Sequence, residues 1–171
     1  MRIFTTTLLC FFVFAAIPLR AQDQVIPYSE KNHSMNDAIA HAQQTLPLFF
    51  AQYYEDYEDS GEFLALFSVK VEMTTSDGIG SEHIWVSPFV RTSENEFFGL
   101  LANEPEDLKN LSYGSEVTFT VDQISDWSYS RDDRAFGNFT TRVMLPDLSP
   151  EMAAQVRGFL SAEPLPADWQ P

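Results

Sequence analysis

The chain carries three histidines, His33, His41 and His83, and 25 acidic side chains among 171 residues. A general base working near neutral pH would come first from the histidines, whose ordinary pKa lies near about 6.5. His83 stands apart because it follows Glu82 and precedes Ile84-Trp85-Val86, residue types that favour a strand. Paired with a carboxylate such as Asp126 or Glu104, it meets the minimum requirement of a small hydrolase. A strand histidine satisfied by a neighbouring acid is the simpler reading of the same residues. There is no His-Glu-x-x-His motif and no histidine pair at i and i+4, so a preformed zinc site is not expected and no cofactor is assigned. No Gly-x-Ser-x-Gly elbow occurs, and Gly78-Ile79-Gly80 lacks the third glycine of a phosphate cradle.

Glu55, Asp56, Glu58, Asp59 and Glu62 place five carboxylates within eight residues. They fall where a helix should end, and there the helix dipole disfavours negative charge. Asp56, Glu58, Ser60 and Gly61 approximate positions one, three, five and six of a calcium loop. Position twelve is Phe67, where a bidentate glutamate is required. A solvated acidic loop is therefore expected, and Asp56, Glu58, Asp59 and Glu62 remain only a weak divalent-cation candidate.

These groups must be positioned by elements that the hydrophobic pattern outlines. Ser34 is placed to cap a helix from about Met35, with Ala38, Ile39, Ala42 and Leu46 at helical spacing. Pro47 interrupts it, Thr45 is placed to cap a second segment, and an aromatic stripe of Phe49, Phe50, Tyr53, Tyr54 and Tyr57 follows. The pattern predicts a kinked helix, or two abutting ones, ending near Tyr57. From Phe63 the period becomes two: Phe63, Ala65, Phe67, Val69, Val71 and Met73 share one face, while Ser68, Lys70 and Glu72 share the other. Ser76 to Gly80 turns this strand into a second, Ile84 to Val90, with Pro88 at an edge or bulge. Phe97 to Ala102 and Val117 to Val121 add two more strands, with a short helical turn at Leu108 to Tyr113 between them. Trp127 and Tyr129 lie on a fifth element, Arg131-Asp132-Asp133-Arg134 makes a turn, and the alternation of Phe139, Thr141, Val143 and Leu145 predicts a last strand. Ser149-Pro150 starts a short helix lined by Met152, Val156, Phe159 and Leu160, and Pro164 to Pro171 reads as a loosely held tail.

With 44% hydrophobic, 14% aromatic and 20% charged residues, the composition belongs to a globular protein. The predicted architecture is α+β: a strongly bent antiparallel sheet of five or six strands, a kinked N-terminal helix packed on it, and a short C-terminal helix. Ten basic against 25 acidic residues give −15, which argues against nucleic acid or an anionic membrane surface as partner. Arg2 and the uncharged, mostly apolar run from Ile3 to Leu19 read as a secretory signal, cleaved after Ala21. Cleavage would move the net charge to −17 and remove Cys10, the single cysteine. No stable membrane insertion is expected thereafter. The expected organisation is a signal peptide at 1–21, a flexible segment at 22–33, one α+β domain at 34–148, a helix at 149–161 and a proline-rich tail at 162–171.

The blocks Met35-Asn36-Asp37-Ala38-Ile39, Thr45-Leu46-Pro47, Phe67-Ser68-Val69-Lys70-Val71, Glu82-His83-Ile84-Trp85-Val86, Phe98 to Pro105 and Ile124-Ser125-Asp126-Trp127 stand in order along the chain. With Phe139-Thr140-Thr141-Arg142-Val143 as a closing block, they resemble the bacterial family of domain of unknown function 2314, the YegJ-like proteins. The resemblance implies a single α+β domain, often exported, and brings no established reaction or catalytic residue. The polar and aromatic residues inside these blocks, His83, Trp85, Asn103, Glu104, Asp126, Trp127 and Arg142, are the candidate ligand or partner surface. Turn formation, capping and core packing account for the same residue types. The reading is an exported periplasmic or extracellular protein, a non-enzymatic binding or accessory module of the cell envelope for a protein or small-molecule partner. A His/carboxylate hydrolase and a weak divalent-cation binder are its alternatives.

Overall fold

The computed structural model describes residues 33–60 and 66–169, without the side chains of 57–60. The signal peptide, the flexible segment before His33 and the beginning of the first predicted strand lie outside the described residues.

Helix α1 spans His33–Ser60 and runs without interruption through Pro47. Ser34 lies within its first turn rather than capping it. Thr45 does not cap a second segment either: its hydroxyl donates to the carbonyls of His41 at 2.9 Å and Ala42 at 3.0 Å, one turn back along the same helix. Ala38, Ala42, Leu46, Phe49 and Tyr53, three or four residues apart, are its buried stripe.

Six strands follow: β1 (Phe67–Thr74), β2 (Ser81–Arg91), β3 (Glu96–Leu101), β4 (Glu116–Thr120), β5 (Ile124–Arg131) and β6 (Arg134–Gly137). They form one open antiparallel sheet in the order β4-β3-β2-β1-β5-β6. The first four make a meander, after which the chain crosses to the free side of β1. Pro88 sits at a register shift of the β2–β3 pair, as its missing N–H requires. The β5–β6 turn takes the left-handed conformation at both central residues, Asp132 (φ 53°) and Asp133 (φ 58°).

The core fills the space between α1 and one sheet face. Phe67, Val69 and Val71 of β1, Ile84 and Val86 of β2, and Trp127 and Tyr129 of β5 are all buried there. Phe49 is at its centre, with ring centroids 5.1 Å from Trp127 and 5.5 Å from Phe67. Each fully buried side chain of this size contributes about 1.5–3 kcal/mol.

Four expectations change. Phe139 to Leu145 is not a strand: α2 spans Phe139–Met144, entered through Asn138 in the left-handed conformation (φ 54°). The last strand is instead β6, just before it. Leu108 to Tyr113 forms turns rather than a helical turn, with the Leu111 N–H donating to the Leu108 carbonyl. Helix α3 (Pro150–Phe159) begins where expected, with Ser149 Oγ accepting from the Met152 N–H, but Phe159 is exposed. The tail is held: Trp169 is buried against Tyr129 and Trp127 at 5.4 and 5.6 Å between centroids, and Asp168 pairs with Arg131.

Candidate functional site

Successive strand residues face opposite ways, so Lys70 lies on the sheet face away from the α1 core. It pairs in register with Trp85 of β2 on one side and Asp126 of β5 on the other. A polar alternation of this kind is the usual mark of a solvated face. Lys70 is instead 8% exposed and Asp126 0%. A buried charge must be compensated, and the compensation is visible. Lys70 Nζ donates to the Thr140 hydroxyl at 3.1 Å and lies 4.7 Å from the centre of the Trp85 ring. The Thr140 hydroxyl donates in turn to Asp126 Oδ2. Asp126 also accepts backbone N–H bonds from Trp127 at 2.8 Å, Phe139 at 3.1 Å and Thr140 at 2.9 Å. The first N–H groups of α2 thus find their acceptor on β5, because Asn138 supplies no side-chain cap. Burial pushes the Asp126 carboxyl above its ordinary range, opposed by the Lys70 charge and by these hydrogen bonds.

His83 lies two residues before Trp85 on the same face of β2. Its Nδ1 is 2.8 Å from Ser125 Oγ. Ser125 is the extra residue where the β1–β5 register shifts between Lys70 and Val71, and its hydroxyl donates to the Lys70 carbonyl at 3.2 Å. A carbonyl only accepts and a serine has one hydrogen, so the proton of the His83–Ser125 bond belongs to His83 Nδ1. Nε2 is left as the acceptor. Burial lowers the His83 pKa; Glu72, its register partner, opposes the shift and Lys70 adds to it. His83 is therefore a neutral, oriented imidazole at pH 7.

Trp85 and Asp126 flank Lys70 in register, and His83 reaches the Lys70 backbone through Ser125. Asn103 supports them from outside: its Oδ1 accepts the Trp85 N–H at 3.0 Å. Three other candidates are elsewhere. Glu104 accepts the Tyr113 N–H in the loop before β4. Trp127 faces the core, where its Nε1–H donates to the Ala42 carbonyl and to Thr45 Oγ1. Arg142, in the last turn of α2, is fastened to Gly137 and Ser161. The acid beside His83 in sequence, Glu82, turns to the other face and accepts the Glu106 and Asp107 N–H groups, both at 2.9 Å. His83 therefore meets Ser125 where a hydrolase would want a carboxylate. Asp56 Oδ1 accepts from Gln52 Nε2 at 2.7 Å. The side chains of Glu58, Asp59 and Glu62 lie outside the described residues, among which no three potential metal ligands gather.

Lys70, Thr140 and Ser125 are the members that sequence reasoning missed. All three sit inside the blocks Phe67–Val71, Ile124–Trp127 and Phe139–Val143, so the blocks themselves held the signal.

An open antiparallel sheet, one long helix on its inner face and a buried lysine–aspartate seam on its outer face define an α+β protein of a particular build. The chain belongs to the family described as "Uncharacterized protein conserved in bacteria (DUF2314)", whose model matches residues 32–159. It is 30% identical over 152 residues to the protein named "Uncharacterized protein YegJ" of Escherichia coli K12, covering 89% of this chain and 93% of that one. It is also 30% identical over 132 residues to a "Putative ankyrin repeat protein" of Neisseria meningitidis serogroup B, covering 75% of this chain and 52% of that protein. No solved structure matches. Among the described residues no helix is long and apolar enough to cross a membrane.

Proposed function

We propose that the protein is a non-enzymatic binding or accessory module of the bacterial cell envelope, exported and cleaved after Ala21, which engages a protein or small molecule through the outer face of β2. The observation that carries the reading is the placement of His83 and Trp85. The two side chains lie two residues apart on one face of β2 and are half-buried, one tied down by Ser125 and the other packed against Lys70. An aromatic plane and an imidazole acceptor fixed in this way lose little freedom when a partner docks, which is what raises affinity without added area. Trp and polar neighbours on a rigid element are also the residue types that dominate binding surfaces. Export rests on Arg2 and the apolar run that follows it.

The test pairs wild type with His83→Ala/Trp85→Ala, both checked for an unchanged melting temperature, in cross-linking and recovery from envelope fractions. The reading expects a defined partner that the double variant loses. Equal recovery by both proteins refutes the surface. Fractionation with N-terminal sequencing tests export, which requires mature chains that begin at Gln22 outside the cytoplasm.

A further inference from the structure

Four of the chain's ten basic residues, Arg131, Arg134, Arg142 and Arg157, line one concavity of about 770 Å³ beside β6 and α3. Phe136 and Leu145 are among its apolar walls. This gathering is not a by-product of composition, because the chain as a whole carries −15. Arg131 is already answered: it holds Asp168 through two bonds, at 2.7 and 2.9 Å. The other three have no carboxylate in ion-pair contact among the described residues. Arg142 is immobilised through bonds from Nε to the Gly137 carbonyl, from Nη1 to the Ser161 carbonyl and from Nη2 to Ser161 Oγ, at 2.9, 2.9 and 3.0 Å. A guanidinium has five N–H donors, so two remain. Arg134 donates to the Gly158 carbonyl, and Arg157 makes no hydrogen bond to another described residue. The acid in the lining is Glu163. Glu163 and the buried Asp126 act on Arg142 from a distance, and Arg134 and Arg157 have no carboxylate in ion-pair contact among the described residues, which leaves the concavity cationic.

We propose that this concavity is a binding site for a small organic anion, a carboxylate or phosphate ester with an apolar portion. The guanidiniums of Arg134, Arg142 and Arg157 receive the charged end, and Phe136 and Leu145 receive the apolar end. The concavity is open to solvent with a volume within the range of small-molecule sites, and a planar guanidinium held in place matches a carboxylate or phosphate edge. A polyanion such as nucleic acid is excluded by the acidic surface outside the cavity, whereas a small anion seats within it. The site shares no residue with the His83–Trp85 patch. Part of its wall, Leu160 to Ala167, lies beyond the family-matched residues 32–159.

The experiment is calorimetric titration of the full chain with phenyl phosphate, and with phenol and inorganic phosphate as its two halves. The proposal expects saturable phenyl phosphate binding that is at least tenfold tighter than either half. It expects at least a tenfold loss in Arg134→Gln/Arg157→Gln, two exposed positions whose change should leave the melting temperature intact, and no loss in His83→Ala. Absence of saturable binding, equal binding by the arginine variant, or phenol binding as tightly as phenyl phosphate overturns it. Inorganic phosphate binding as tightly as phenyl phosphate does the same, by removing the apolar end.

Discussion

Lys70 and Asp126 face each other as a register pair of β1 and β5, both buried, with the Thr140 hydroxyl bridging them 3.1 Å from Lys70 Nζ. Water is largely absent there, so the pair is tolerable only because each charge answers the other and Asp126 receives three backbone donors as well.

Asp126→Asn leaves Lys70 uncompensated and sets an amide NH₂ against backbone N–H groups. A loss of about 3–5 kcal/mol in guanidinium denaturation is expected. Adding Lys70→Met should restore at least about 1 kcal/mol relative to simple addition of the two single changes. Strict additivity would show that the two charges do not communicate.

His83 makes stability depend on pH. Its folded-state pKa lies below the ordinary 6.5, so the unfolded chain takes up this proton first as pH falls. The stabilisation is complete above pH 6.5 and declines as the solution is acidified toward the lowered folded value. Denaturation midpoints measured between pH 7.5 and 5.5 should show this slope in wild type, and His83→Gln should flatten it. Nitrogen-15 NMR should find the Nδ1–H tautomer, and a titration midpoint at or above 6.5 contradicts the burial argument.

Gly137 and Gly78 both hold positive φ, +70° and +73°, yet their alanine variants should differ sharply. A Cβ on Gly137 would lie 2.2 Å from the Trp127 carbonyl oxygen and 2.5 Å from its ring, whereas one on Gly78 meets nothing within 4 Å. Gly78→Ala should cost about 1 kcal/mol, the backbone penalty alone. Gly137→Ala should cost at least about 3 kcal/mol, because neither backbone nor core indole can move aside cheaply. Urea midpoints of the two variants decide the matter.

Trp169→Ala should cost about 3 kcal/mol and change the near-ultraviolet circular dichroism, since the ring stacks on Tyr129 and leans on Trp127. The neighbouring Asp168–Arg131 pair holds the Asp168 carboxyl down at about 2. What it contributes is present above the ordinary carboxylate pKa of 3.8 and vanishes as pH falls through about 2. An unchanged spectrum in Trp169→Ala would mean the tail is not seated in solution.

Elements whose signal lies within their own residues could be read from the sequence. The alternation of Phe67, Val69 and Val71 marks β1, and Ser149-Pro150 marks the start of α3. Helix α2 is not legible in the sequence because six residues are too few to separate a helical from a strand period, and its capping acid, Asp126, comes from another element. Alternation shows that the face carrying Lys70 is polar and cannot show that Thr140 will cover it. Arg131, Arg134, Arg142 and Arg157 are spread through the sequence, and only the packing of β6, α2 and α3 brings them to one place. Of the block residues, Trp85 and Asp126 flank Lys70 in register and His83 reaches Ser125. Glu104 and Trp127, chosen by the same reasoning, serve a loop and the core.

Trp169 supplies the last wall of an aromatic interior whose other walls come from α1, β1 and β5. A polypeptide emerging from a ribosome, or threaded N-terminus first through a translocation pore, therefore cannot finish excluding solvent from Trp127 and Tyr129 until residue 169 has arrived. A protease that cuts near Glu163 would reopen the same two rings, so intact and clipped molecules should separate readily by hydrophobic retention.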